Sequence, residues 1–357
     1  ESSTTASSSN SATSSSSASS SATSSSSSSA TSSKAAGAAA KERSAIEGHV
    51  VVLSTGGTIA STHDDKGAVV PTVTGSKLVE PLSGTFDKDK LTLEVKDIAK
   101  LDSSAMTLDD TDSIITAVNK ELRRDDVDGV VVTHGTDSME ETAIAVDTFQ
   151  DSEKPVALTG AMRPFDDPNP DGPDNLALAV KTVTDRANRG RGTFIAFADQ
   201  VIPARGAFKS DTSKADGFAN NNGKKQPQRP KALKFKPLGN TRVDIIAAYP
   251  GAPADLIQRS LDSGAEGIVI EGMGAGNIGD ELAQAAQAAA KKVPVVLTTR
   301  VDHGPVEGIY GGAGGGATLA DAGVISSGTL RAPQARMLLA AAITTGTDAE
   351  DLFAHAE

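Results

Sequence analysis

Two short loops carry hydroxyls and a carboxylate in patterns suited to acyl chemistry. The first is Thr55-Gly56-Gly57-Thr58-Ile59-Ala60-Ser61, and the second is His134-Gly135-Thr136-Asp137-Ser138-Met139-Glu140-Glu141-Thr142. In the first, two glycines let the backbone approach a ligand and present N–H groups to it. A phosphate cradle is one reading, but neither G-x-x-x-x-G-K-[ST] nor G-x-G-x-x-G occurs there. A second reading makes Thr58 an oxygen nucleophile next to N–H groups that receive an oxyanion. From this loop alone a plain turn, with Thr58 capping the next segment, is the preferred reading. The second loop sets a hydroxyl beside a carboxylate. Asp137 could bind a substrate ammonium, and Thr136 could attack or relay a proton. Capping of the following helix is the plainer alternative, and both can hold together. His134 reads as a turn histidine that fixes its loop by hydrogen bonding. The five histidines show no H-E-x-x-H or other paired spacing, so no metal site is expected. No G-x-S-x-G elbow is present, which argues against an ordinary α/β-hydrolase.

The elements that must position these loops follow a repeated pattern. Val50-Val51-Val52-Leu53 runs into the first loop, and Gly129-Val130-Val131-Val132-Thr133 runs into the second. Pro155–Leu158 and Phe194–Phe197 are further apolar runs, with helix-like stretches at 110–122, 140–149 and 176–189 between them. Strand, loop, helix and strand in alternation predict a parallel sheet covered on both faces. Such sheets place ligands beyond the carboxyl ends of their strands, where both loops fall. Residues 217–242 turn polar, Pro- and Lys-rich, and alternation resumes at 243. The expectation is two α/β domains: a larger N-terminal parallel-sheet domain at 48–221, a linker at 222–242, and a smaller C-terminal α/β domain at 243–357 closed by a helix near 332–344.

Composition narrows the function classes. The chain has 357 residues and a net charge of −12. Residues 1–33 comprise 21 Ser, 5 Thr, 5 Ala, one Glu and one Asn. Such a segment has little apolar surface to offset its ordering entropy, so 1–47 is expected to be a disordered tether. A Ser/Thr/Ala spacer on a chain that starts at Glu1 points to export: a secreted, cell-surface or periplasmic protein with a membrane or wall tether. No basic tract is present, which argues against nucleic-acid binding. The absence of cysteine excludes disulfides, thiolate metal sites and a Cys nucleophile.

Taken together, the two loops resemble the bacterial-type L-asparaginase family of asparaginase/glutaminase amidohydrolases. The first is similar to its T-G-G-T-I-A segment and the second to its H-G-T-D-[ST]-M-E-E-T segment. Asp102-Ser103-Ser104-Ala105-Met106, Gly160–Pro164, Asp171-Gly172-Pro173 and Ser327–Leu330 with Pro333 and Arg336 also resemble family segments, in order. The resemblance implies hydrolysis of the side-chain amide of Asn to Asp and ammonia, without a cofactor. Carried over, it makes Thr58 the primary nucleophile. Thr136, Asp137 and Lys209 form a second catalytic group, and Ser103, Ser104 and Asp137 hold the substrate's α-carboxylate and α-amine. Backbone near Gly57 and Thr136 would receive the oxyanion. It further implies a homotetramer, a dimer of dimers, with each site closed by the neighbour's second domain.

The sequence departs from the family at the mobile loop after the first motif, where a tyrosine is usual. Residues 61–100 contain none; Tyr249 and Tyr310 are the only tyrosines. Thr72, then Thr74, are the candidate replacements, set against no replacement at all. Glu307 and Tyr310 are possible second-domain contributors. Alternatives within reach are a glutaminase-asparaginase, an asparaginase-like subunit of an archaeal tRNA-dependent amidotransferase, and a silent amino-acid-binding module. The complete Thr58, Thr136, Asp137, Lys209 set speaks against the last.

Overall fold

The computed structural model describes residues 46–223 and 228–354. Of the expected tether, only Ile46 and Glu47 fall among the described residues. The strands are β1 (Gly48–Gly56), β2 (Ser61–His63), β3 (Val69–Pro71), β4 (Leu91–Leu101), β5 (Gly129–Thr133), β6 (Val156–Thr159), β7 (Thr193–Phe197), β8 (Gln200–Pro203), β9 (Ala207–Lys209), β10 (Phe218–Asn220), β11 (Val243–Ala247), β12 (Gly267–Gly272), β13 (Val295–Thr299) and β14 (Ile325–Ser326). The longer helices are α1 (Leu108–Leu122), α2 (Met139–Phe149), α3 (Gly172–Thr184), α4 (Asp255–Asp262), α5 (Asp280–Ala290) and α6 (Ala332–Thr345), followed by the short α7 (Ala349–Phe353).

A six-stranded sheet has the order β4-β1-β5-β6-β7-β8, parallel except for β8, which runs antiparallel to β7. A smaller, fully parallel sheet has the order β11-β12-β13-β14. The expected fold class, two α/β parts with the larger first, is the one observed.

The unbroken apolar run of β1 has a simple cause. Successive side chains point to opposite faces, and both faces are covered. Val51 and Leu53 join one core with Val130 and Val132, while Val50 and Val52 join another with Val131 and Leu176. The first of these cores also takes in Val269 and Val296 of the smaller sheet and Leu338 and Leu339 of α6. The two sheets therefore share buried contacts through α6. That helix carries Pro at its start and ends at Gly346, whose φ of 70° is the left-handed conformation that stops a helix.

The described part of the predicted linker, 228–242, is held rather than loose. Leu238 is fully buried, its N–H reaches Asp112 Oδ1 at 2.8 Å, and the Gly239 N–H reaches Asp112 Oδ2 at 2.9 Å. Asp112 belongs to α1, so the segment is fastened across the larger sheet's helical layer.

Candidate active site

The strand order decides which loops meet. β4, β1 and β5 are adjacent and parallel, so their carboxyl ends lie together. The segments leaving them carry Ser103, Thr58, and Thr136 with Asp137. Gly57 and Gly135 make the approach close enough. A Cβ on Gly57 would lie 2.5 Å from the Gly135 backbone, and one on Gly135 would lie 2.4 Å from Ser103 Oγ. Gly57 also has φ 82°, which an L side chain rarely adopts. The result is a cleft of about 230 Å³ bordered by Thr58, Ser61, Ser103, Thr136, Asp137 and, at its rim, Val69.

Both capping alternatives are overturned. Thr58 is the first residue of a 3₁₀ turn whose cap position is Gly57, and no side chain caps it. The cap position of α2 is Ser138, not Thr136 or Asp137, and its hydroxyl donates to Ser103 O at 2.6 Å. Thr136 and Asp137 face Lys209 instead. Lys209 Nζ lies 2.9 Å from Thr136 Oγ1 and 3.1 Å from Asp137 Oδ1. The lysine is fixed at its own backbone, where its N–H donates to the Glu140 carboxylate. Burial pushes the Glu140 carboxyl up to about 7, with Glu141 adding to the rise and the Lys209 N–H opposing it.

Ser103 is buried and accepts the Asp137 N–H at 3.1 Å. Ser104 is not brought in: it is exposed, and its hydroxyl donates to Asp102 Oδ1 at 2.8 Å. Asp102 itself borders the cleft, a second carboxylate that sequence reasoning left unassigned. The Gly57 N–H donates to Leu101 O at 3.2 Å, so Gly57 supplies clearance rather than an oxyanion donor.

His134 is fully buried, and burial lowers its pKa to about 4. Its Nδ1 lies 2.7 Å from Gly135 O and its Nε2 2.8 Å from Thr142 Oγ1. A carbonyl only accepts, so Nδ1 bears the proton and Nε2 accepts from the threonine. This neutral imidazole ties its loop to α2, as its turn position led one to expect.

The segment after the first motif forms the antiparallel hairpin β2–β3. Thr72 is exposed and shares a 2.7 Å hydrogen bond with Thr62. The hairpin residues that border the cleft are Ser61, Val69 and Pro71, not Thr72 or Thr74, and the Ser61 hydroxyl donates to Gly57 O at 2.8 Å. Glu307 and Tyr310 do not border the cleft either.

Comparison with known proteins follows the same division of the chain. Residues 49–230 match the family model described as Asparaginase, N-terminal, and residues 242–354 match the Glutaminase/Asparaginase C-terminal domain. The chain belongs to the asparaginase family. It is 31% identical over 327 residues to L-asparaginase 2 of Bacillus subtilis, covering 86% of this chain and 85% of that one. It is 32% identical over 322 residues to a protein of Haemophilus influenzae named probable L-asparaginase periplasmic, covering 84% and 90%. Among solved structures, the thermostable L-asparaginase from Thermococcus kodakarensis superposes with a TM-score of 0.75 at 28% identity, covering 87% of this chain and 97% of that one.

Proposed function

We propose that this protein is an L-asparaginase, an amidohydrolase that converts L-asparagine to L-aspartate and ammonia through a threonine nucleophile. The observation that carries the reading is the Thr136–Lys209–Asp137 chain, with contacts of 2.9 and 3.1 Å, at the edge of a cleft that Thr58 also borders. Thr58 Oγ1 attacks the side-chain amide carbon, and the hydroxyl proton passes to the amide nitrogen as that nitrogen leaves. Backbone N–H groups of the two loops receive the oxyanion. Collapse expels the nitrogen as ammonia and leaves an aspartyl ester on Thr58. Water adds to that ester, its proton passing through the Thr136–Lys209 pair, and L-aspartate departs with the Thr58 hydroxyl restored. No cofactor enters these steps. Ser103 donates to the substrate's α-carboxylate, while Asp137 receives its α-ammonium. Asp102, held by the Ser104 hydroxyl at 2.8 Å, stands at the rim of the same cleft without a direct role for Ser104.

The assembly we propose is a dimer of dimers in which a neighbour's second α/β part closes each cleft. In support, Ile309 and Tyr310 are 61% and 58% exposed, a large apolar surface for one loop. We propose export as well, supported by the relative named periplasmic and by a Ser/Thr/Ala-rich start. No described helix is long and apolar enough to cross a membrane.

The test is product analysis with L-Asn, L-Gln and D-Asn supplied separately. Equimolar aspartate and ammonia from L-Asn, well above release from the other two, is the expected result. Equal turnover of L-Gln would make the enzyme a glutaminase-asparaginase. Binding of L-Asn without ammonia release would make it an amino-acid-binding module.

A further inference from the structure

Behind the segment that delivers Lys209, and apart from the cleft, lies a second and much smaller polar cavity. It is lined by Asp147, Arg191, Thr193, Arg205 and Arg229, with a volume of about 10 Å³, near that needed for a single water-sized sphere. Arg191 is engaged elsewhere, its Nη1 donating to Asn188 Oδ1 at 3.0 Å, and Arg205 and Arg229 are left to share the lining's one carboxylate, Asp147, an excess of one positive charge. That carboxylate is already committed: Asp147 Oδ1 accepts the Thr193 N–H at 2.9 Å and Arg229 Nε at 3.0 Å. Arg205 is 3% exposed, and its Nε has no hydrogen-bond partner among the described residues. A buried guanidinium N–H left unpaired is costly, and the cost of a buried charge falls only when a counter-charge is close.

We propose that this cavity is a binding site for one small monovalent anion of the halide class, held against Arg205 and Arg229. A halide accepts the orphaned Arg205 N–H and offsets the excess positive charge, whereas a water supplies only the hydrogen bond. The volume excludes phosphate, sulfate and organic acids. Burial lowers the Arg205 pKa to about 10 against the opposing pull of Asp147, as expected of a guanidinium short of counter-charge.

The site has a structural consequence. Arg205 Nη2 donates to Leu352 O at 2.7 Å in α7, and the next residue, Gly206, donates its N–H to Gln334 Oε1 at 2.9 Å in α6. Lys209 follows three residues later. The anion therefore braces the turn that leads into β9 and fastens it to both C-terminal helices.

Two measurements on the full chain test this. The first is thermal unfolding in sodium chloride, sodium bromide and sodium gluconate at equal ionic strength. The expected result is a saturable rise of a few degrees with the halides and none with gluconate, which is too large to enter. Arg205→Met should lose the halide-specific rise. Should that variant fail to fold, Arg229→Gln, nearer the surface, should lose it too. A rise that persists in these variants would mark a general surface effect and overturn the site. The second is anomalous diffraction from crystals soaked in bromide. A peak within hydrogen-bond distance of Arg205 Nε is expected. A fully occupied water, or an empty cavity, would refute the proposal.

Discussion

At the scale of single residues, the proposed constellation divides into parts with a local signature and parts without one. Thr58, Thr136 and Asp137 lie at strand ends inside motifs that can be recognised in isolation. Lys209 has no such setting; it is 72 residues beyond Asp137 and reaches it only because the chain folds back. Lys209→Met keeps the aliphatic stem and removes the ammonium. It should lower kcat by at least about 10²-fold with little change in Tm; full activity would return Lys209 to the status of a surface lysine. Glu140 was hidden differently. A glutamate in a helix's first turn reads as a capping residue, yet its carboxylate receives the Lys209 N–H. Its folded pKa is about 7, above the ordinary 4.5. The folded state thus holds the proton more tightly than the unfolded chain. The resulting stability is fully present below pH 4.5 and is lost as pH rises through about 7. Glu140→Gln keeps an acceptor for the N–H but cannot ionise. Its stability relative to the parent should increase between pH 5 and pH 8, by up to about 3 kcal/mol. Urea unfolding at the two pH values measures this, and an unchanged difference would contradict it.

Among the elements, fully buried strands were the easiest to read. β1 and β5 are apolar on both faces because helices cover both, so no alternation interrupts them. β4 escaped notice because it is an edge strand. Glu94, Lys96, Asp97 and Lys100 interrupt its apolar residues, and most of its positions are only half-buried or exposed. The hairpins β2–β3 and β9–β10 use strands of three residues, too short for any period to emerge. The described part of the predicted linker, 228–242, lacks a pattern because its anchors are scattered: the Arg229 guanidinium on Asp147, the Phe235 ring edge-on to Phe149, the buried Leu238 and a few backbone N–H groups. Asp112 receives two of those N–H groups. Asp112→Ala would leave them without that acceptor in a buried place, at a cost of about 2 kcal/mol. Chemical denaturation should record that loss with kcat nearly unchanged. Wild-type stability in the variant would show that the segment is held by its side chains alone.

For the molecule as a whole, the two sheets are joined through one shared core and through Gln334. That side chain donates to Glu140 O at 3.0 Å and Ala204 O at 2.7 Å and accepts the Gly206 N–H at 2.9 Å, all while buried. The alternation of strand and helix patterns predicted two α/β parts but could not reveal this coupling, since Gln334 sits in an otherwise apolar, Ala-rich helix. Heating should therefore give one calorimetric transition for residues of both sheets; two resolved transitions would mean that each part unfolds alone. The same coupling ties the segment that carries Lys209, through Gly206, to the C-terminal helix. The most direct measurement of all is steady-state ammonia release from L-asparagine by Thr58→Ala beside the parent chain. A correctly folded variant with kcat reduced by about 10³-fold or more, and KM little changed, is the predicted result. A Thr58→Ala protein that still hydrolyses L-asparagine at close to the parental rate would contradict a threonine nucleophile at this position.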